Sequence, residues 1–245
     1  MIKLNALSFS YAAGCDALSC ITMSVSKGVT QGLVGANGSG KSTLLGLIAG
    51  LYSPTEGTLV VADRKNPGQE KSIRWVCRLV MQDADLQILG GTVEEDLLLG
   101  RKRTEEAIQA ARVMAERFNL LKAWETPVQT LSWGMKRKLC LAAALLDNPR
   151  ILLLDEPFSG LDYAGVREMR AIIRENAKAG LTQVISSHDL ESFVDLVDDL
   201  TVLDGGKLVL SGPPVNILDQ VRAHGVRPPS SWLTTGTIVS WDTAE

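Results

Sequence analysis

The stretch Gly35-Ala36-Asn37-Gly38-Ser39-Gly40-Lys41-Ser42-Thr43 constrains this 245-residue chain more than any other. It has the pattern G-x-x-x-x-G-K-[ST]. It follows a short strand-like run, residues 29–34, and opens an apolar run, residues 44–49, that reads as a helix. Glycines at these spacings let backbone N–H groups curl inward around an anion at a helix N-terminus. Gly35, Asn37, Gly38, Ser39, Gly40 and Thr43 are therefore expected to cradle a polyphosphate. Lys41 would bridge its β- and γ-phosphates, and the Ser42 hydroxyl would coordinate Mg2+. A plain glycine-rich turn before a helix is the competing reading, and the strand–loop–helix context weighs against it.

An acidic partner follows in Ile151-Leu152-Leu153-Leu154-Asp155-Glu156-Pro157. An all-apolar run this short suits a central parallel strand covered on both faces. Ligands gather at the carboxyl ends of such strands. Asp155 can there hold Mg2+ through water, and Glu156 can orient or deprotonate an attacking water.

Between these two motifs the pattern turns helical. Thr92-Val93-Glu94-Glu95 is a capping box. Residues 104–121 form an amphipathic helix with Ile108, Ala111, Met114, Ala115 and Phe118 on one face. Ser132 caps a helix that runs to residue 146 and is closed by Asn148-Pro149. Elsewhere the sequence predicts strands at 2–9, 58–62, 76–81 and 183–186, and helices at about 164–177 and from Asp189. A hairpin joins 201–203 to 207–210 through Gly205-Gly206. The chain thus reads as α/β over residues 1–222, with a helical insertion at about 85–148 and a weakly patterned tail at 223–245.

Composition removes several alternatives. The net charge is −3, with no basic tail or stripe, which excludes wholesale binding to a nucleic-acid backbone. Cys15, Cys20, Cys77 and Cys140 form no C-x-x-C pair, and His188 and His224 are the only histidines, so a structural zinc site is not expected. The N-terminus lacks a signal-peptide pattern. No apolar run approaches the roughly 20 residues needed to span a bilayer, so the chain is expected to dock on a membrane component rather than enter the membrane.

Further residues fall in a recognisable order. Over about residues 1–220 the chain resembles the nucleotide-binding subunit of the ABC superfamily. Tyr11 stands where that family stacks an aromatic on adenine. Gln82 follows the 76–81 strand as the Q-loop glutamine does. Leu131-Ser132-Trp133-Gly134-Met135 takes the signature position, Ser159-Gly160-Leu161-Asp162 the D-loop, and His188 the switch histidine. Singly, each has a plain reading as a core aromatic, a solvated amide, a helix cap or a structural histidine.

The resemblance implies a P-loop NTPase fold with an ABC-type core sheet and an inserted helical subdomain. It implies hydrolysis of ATP with Mg2+ held by Ser42, Gln82 and Asp155, and catalytic roles for Glu156, His188 and Gln82. Tyr11 and the glycine-rich loop would hold one nucleotide. Ser132, Gly134 and Asp162 would serve a nucleotide shared with a second ABC ATPase subunit, either a copy or a paralogue. The family's signature usually reads L-S-G-G-Q, and Trp133 and Met135 depart from it. Trp133 could crowd the shared site or pack on the partner.

Residues 81–89 and 92–97 also resemble the energy-coupling-factor ATPases of cobalt, nickel and vitamin importers, with Asp83-Ala84 where those commonly carry Asn-Pro. That resemblance implies an integral membrane coupling subunit as partner and a peripheral place on the cytoplasmic face of the membrane.

Overall fold

The computed structural model describes residues 1–12, 14 and 16–243. Cys15, one of the four cysteines noted above, lies outside the described residues. In chain order the elements are β1 (Ile2–Ser10), β2 (Asp16–Val25), β3 (Thr30–Val34), α1 (Lys41–Ile48), β4 (Glu56–Val61), β5 (Arg64–Asn66), α2 (Glu70–Val76) and β6 (Cys77–Val80). There follow α3 (Val93–Leu97), α4 (Glu105–Arg117), α5 (Trp133–Leu146), β7 (Ile151–Asp155), α6 (Tyr163–Lys178), β8 (Thr182–Ser187), β9 (Asp199–Asp204), β10 (Lys207–Gly212), α7 (Pro214–Ile217) and α8 (Ser230–Thr235). Contacts divide the chain into two units. One comprises Met1–Leu79 with Arg150–Glu245, and the other Val80–Pro149.

The first unit holds two sheets. One is four-stranded and antiparallel, in the order β2-β1-β4-β5. The other runs β10-β9-β3-β8-β7-β6 and is parallel across β9, β3, β8 and β7. The helix α1 supplies Leu44, Leu45, Leu47 and Ile48 to a core that also contains Leu4, Leu18, Ile21, Leu59, Leu33, Leu153 and Val184. Fully burying one such side chain stabilises the fold by about 1.5–3 kcal/mol. The glycine-rich loop is thus fixed at both ends, by a buried strand before it and a buried helix after it.

Strand register determines where chemistry can occur. In the parallel sheet Val34 pairs with Ser187 and Asp155 with Ser186. The carboxyl ends of β3, β7 and β8 therefore lie side by side. They deliver the start of the glycine-rich loop, the Asp155-Glu156 pair and the Ser186-Ser187-His188 run to one edge, where parallel sheets place their ligands.

In the second unit, α5 is the central helix and packs against α3 and α4. Ala111, Ala115 and Phe118 bury the inner face of α4, with Leu139, Cys140, Leu141 and Ala142 buried on α5. Thr104 and Ser132 cap their helices, accepting from the amides of Ala107 and Met135.

Several expectations from sequence are corrected. The long strand β2 has no counterpart in the sequence reading. Its inward residues are Leu18, Ile21, Met23 and Val25, and a left-handed Cys20 (φ 54°) breaks the alternation between Leu18 and Ile21. The helix expected from Asp189 does not form. Asp189 instead folds its own turn, its carboxylate accepting from the Glu191 amide and the Ser192 hydroxyl, and only a short 3-10 turn follows at Val194–Leu196. The predicted capping box is offset: Thr92 accepts from the Glu95 amide, but the Glu95 carboxylate accepts from Gly91. The described part of the weakly patterned tail contains short helical turns, including α8 and a 3-10 turn at Trp241–Thr243.

Candidate functional site

The glycine-rich loop has the geometry of an anion cradle. Gly40, at φ 101°, precedes α1. A Cβ there would fall 2.7 Å from Leu18 Cδ2 and 2.9 Å from the Ala17 carbonyl. At Gly35 a Cβ would come within 2.2 Å of the Leu203 carbonyl. Only glycine fits either position. The Ser39 hydroxyl is buried and has no hydrogen-bond partner among the described residues. The Lys41 ammonium, itself buried, donates to the carbonyls of Gly35 (2.8 Å) and Ala36 (3.2 Å). A lysine folded over a glycine-rich loop, with a buried hydroxyl that has no partner among the described residues, suits a polyphosphate.

Ser42 is exposed on the first turn of α1, and Thr43 is buried beside it. The Thr43 hydroxyl shares a 3.0 Å hydrogen bond with the Tyr11 phenol. Tyr11 is 59% exposed, and its ring stands edge-on to Phe9 and Tyr52. It offers a free aromatic surface beside α1, with its polar end anchored. The Tyr52 phenol is pushed above its usual value, chiefly by the charge of the adjacent Tyr11 phenol and then by burial.

The carboxylates sit close together at the end of β7. Asp155 is buried and accepts from the Ser186 hydroxyl. That same hydroxyl, at 3.0 Å, and the Ser186 carbonyl, at 3.2 Å, accept the Glu156 amide. Glu156 adopts a left-handed φ of 48°. For a residue with a side chain this costs roughly 1–2 kcal/mol. The two bonds from Ser186 hold that backbone in place.

The Glu156 carboxylate is 6–7% exposed and lies between two cationic or donor groups: His188 Nδ1 at 2.9 Å and Lys41 Nζ at 3.7 Å. His188 is half exposed and leads outward from the pair. The structure therefore gathers Tyr11, Gly35, Asn37, Gly38, Ser39, Gly40, Lys41, Ser42, Thr43, Asp155, Glu156 and His188 in one unit. Asp162 belongs to the same unit, where it caps α6 and accepts from the Gly165 amide at 2.8 Å.

Gln82, Ser132 and Gly134 belong to the second unit. The Gln82 side chain is exposed, and its carbonyl accepts from Arg137 at 2.7 Å. Trp133, in the position of the signature's first glycine, lays its ring over the Arg137 guanidinium with 4.1 Å to the centroid. The loop after Gln82 is closed by Asp96. Its carboxylate is buried and accepts the amides of Leu89 (2.9 Å) and Gly90 (3.0 Å). The T-V-E-E-D run thereby shapes this region physically, since Thr92 starts α3 and Asp96 ties the preceding loop to it.

Sequence reasoning missed Ser186 and Arg137. A hydroxyl-bearing pair, Ser186-Ser187, closing an otherwise apolar strand next to His188 was the available signal for the first. Arg137 carried none, since an arginine on a helix otherwise reads as a solvated charge.

A parallel sheet whose carboxyl edge presents a glycine-rich cradle, a buried lysine and an Asp-Glu pair defines a P-loop nucleotide hydrolase. The sequence profile of the ABC transporter family matches residues 18–159. The cobalt import ATP-binding protein CbiO of Rhodobacter capsulatus is 32% identical, covering 94% of this chain and 85% of that protein. The structure of cbiO1 from Clostridium perfringens, part of the cbiONQ ABC transporter complex, superposes with a TM-score of 0.79. It is 27% identical and covers 96% of this chain and 95% of that one. A dimeric ATP-binding cassette in a post-hydrolysis state, bound to ADP and Pi, also superposes with a TM-score of 0.79. It is 25% identical, covering 87% of this chain and 98% of that one.

The chain belongs to the ABC transporter family. It is an ATP-binding, ATP-hydrolysing subunit related to the energy-coupling-factor ATPases. No described helix is long and apolar enough to cross a membrane.

Proposed function

We propose that this chain energises an energy-coupling-factor importer of a metal ion or vitamin, as a peripheral subunit on the cytoplasmic face of the membrane. The ATPase unit would be residues 1–222, with its helical insertion at about 85–148. The observation that carries the ATPase chemistry is the position of Glu156, held between Lys41 and His188 beside the cradle. The importer type is supported by the likeness to CbiO and cbiO1 and by the loop that Asp96 closes after Gln82.

In this reading the cradle amides and Lys41 bind the phosphates, Tyr11 stacks on adenine, and Glu156 accepts a proton from the attacking water. His188 orients Glu156 and donates toward the γ-phosphate. Ser42, Asp155 and Gln82 would hold magnesium, which neutralises phosphate charge when bound. Among the described residues no cluster of three acidic, histidine or cysteine side chains is built for a metal alone. The oxygen donors of Ser42, Asp155 and Gln82 suit Mg2+, which is bound by one or two carboxylates together with substrate phosphates.

Ser132 and the Gly134 amide, at the N-terminus of α5, would meet the nucleotide of a second cassette, which Asp162 would also serve. The segment from Met81 to Leu97 would receive a helix of a membrane coupling subunit.

The test uses Glu156→Gln, which removes the base and keeps the shape. With MgATP, light scattering should show a dimer that is absent without nucleotide, and steady-state hydrolysis should fall by about 100-fold or more. Wild-type turnover in this variant refutes the role of Glu156. Failure of the chain to copurify with a coexpressed integral membrane coupling protein refutes the importer reading.

A further inference from the structure

The tail of the chain makes a set of contacts that the nucleotide site does not explain. Arg170, in the middle of α6, is fully buried. A buried guanidinium costs several kcal/mol unless its donors and charge are met. Arg170 donates to both oxygens of Asp195 (2.9 and 2.6 Å), to the Ser192 carbonyl and to Asp242 (3.2 Å). One turn further along, Arg174 pairs with the same two carboxylates, Asp195 at 3.4 Å and Asp242. Ser240 donates its hydroxyl to Asp195 at 3.0 Å. Two arginines therefore face two aspartates, and the second aspartate comes from the tail. Without Asp242, two guanidinium groups would share one carboxylate.

Trp241 completes the arrangement. Its ring lies over the Arg170 guanidinium, 5.2 Å to the centroid. Among the described residues Arg170 Nε has no hydrogen-bond partner, so the aromatic face stands against a cation whose donors are only partly met there. On its other contact, Trp241 stacks on Tyr163 with centroids 5.0 Å apart and planes 30° apart. Tyr163 is the first residue of α6, directly after Asp162, the cap that ends the D-loop. Asp195 and Ser192 lie in the segment that leads away from His188. The tail thus grips both elements at once: the helix that starts at the D-loop and the segment that follows the switch histidine.

We infer that Ser240-Trp241-Asp242 is a latch that fixes the D-loop end of α6 to the segment after His188, with Trp241 and Asp242 as positioning residues for ATP turnover. The inference rests on the ATPase reading above. Neither residue touches the cradle, so removing the latch should loosen Ser159–Asp162 and lower turnover without weakening nucleotide binding. A residue of purely structural value would alter stability and leave the split between kcat and KM unmoved.

The experiment compares full-length wild type, Trp241→Ala, Trp241→Phe and Asp242→Asn in the copurified transport complex. Two readouts are taken: kcat and KM for MgATP, and hydrogen exchange of the amides of residues 160–166. Trp241→Ala should lower kcat by about five- to tenfold with KM within about twofold. Its exchange at 160–166 should accelerate by about tenfold. Trp241→Phe, which keeps the stack, should restore most of both. Asp242→Asn should lower kcat by about threefold, and it serves as the test if Trp241→Ala does not fold.

Unchanged kcat in Trp241→Ala overturns the latch, as does a loss carried by KM alone. Lack of hydrolysis by the wild-type complex would overturn the ATPase reading. Exchange at 160–166 would still judge the latch, and wild-type exchange in Trp241→Ala would refute it.

Discussion

Ser186→Ala tests whether the catalytic pair is held by the strand beside it. The Ser186 hydroxyl is fully buried and does two things: it donates to the Asp155 carboxylate and accepts the Glu156 amide at 3.0 Å. The second bond is partly backed up, because the Ser186 carbonyl also accepts that amide at 3.2 Å. The first has no such support from the same residue. A hydrogen bond to a charged group contributes about 1.5–3 kcal/mol, and alanine leaves the buried carboxylate with one donor fewer. The expected loss is therefore about 2 kcal/mol, a factor of about 30 in the folding equilibrium. With a urea slope of about 3 kcal/mol/M, the midpoint should fall by about 0.7 M. The same change leaves the Glu156 amide, at a strained φ of 48°, with only the longer bond to the Ser186 carbonyl. A base displaced by even an ångström loses up to about 100-fold in rate, so kcat should fall by at least about tenfold. Urea titration and steady-state hydrolysis read the two effects. A midpoint within about 0.2 M of wild type together with unchanged kcat would refute the argument that Ser186 holds the pair.

Lys41→Ala should weaken ATP binding by about 100-fold, since the ammonium that caps the cradle is lost; equilibrium binding of a fluorescent ATP analogue checks it. Burial pushes the Cys140 thiol up to about 12 and raises the Cys77 thiol as well. Of the described cysteines, exposed Cys20 alone should therefore react with iodoacetamide in the native protein at neutral pH, as peptide mass mapping would show. The Asp242 carboxyl is held below its usual value of 3.8: burial opposes this, but hydrogen bonds from Arg170 and Arg174 outweigh it. A lowered folded value means that its stabilising effect is complete above that usual value and is lost as pH falls through the lowered one. Acid titration of tryptophan emission, wild type minus Trp241→Phe, should show the tail releasing only at such acidity, and release near neutral pH would contradict it.

The parts of the site that sequence reveals are those that chemistry forces to be contiguous. Nine residues from Gly35 to Thr43 must be adjacent to curl around a phosphate, and Asp155 and Glu156 must share one strand end. Elements with a clear period were also legible. Ser132 and Thr104 cap their helices where the apolar spacing begins. Two kinds of feature were hidden. Where backbone irregularity interrupts the pattern, as Cys20 does within β2, period-2 reasoning loses the strand. Where a short polar side chain satisfies the backbone locally, as Asp189 does, a cap signal leads to a turn instead of a helix.

Trp133 shows a third limit. Sequence offers crowding of the shared site or packing on a partner and does not show a further contact: the ring lies on Arg137 four residues further along its own helix, and Arg137 in turn holds the Gln82 carbonyl. The departure from the signature thus has a contact within the chain that ties the start of α5 to the Q-loop. The same reasoning applies to the tail. Arg170, Arg174, Asp195 and Asp242 are four ordinary charges when read singly, and ordinary charges are solvated. Their meaning comes from chain reversals that bring residues 25 and 72 positions apart onto one buried guanidinium. No local pattern encodes such a cluster, because each member satisfies a demand created by the others. A fold that buries Arg170 requires Asp195, and the part-exposed Arg174 draws on that same carboxylate, so a second one completes the cluster. The tail supplies that carboxylate, and with it Trp241 reaches the residue that follows the D-loop.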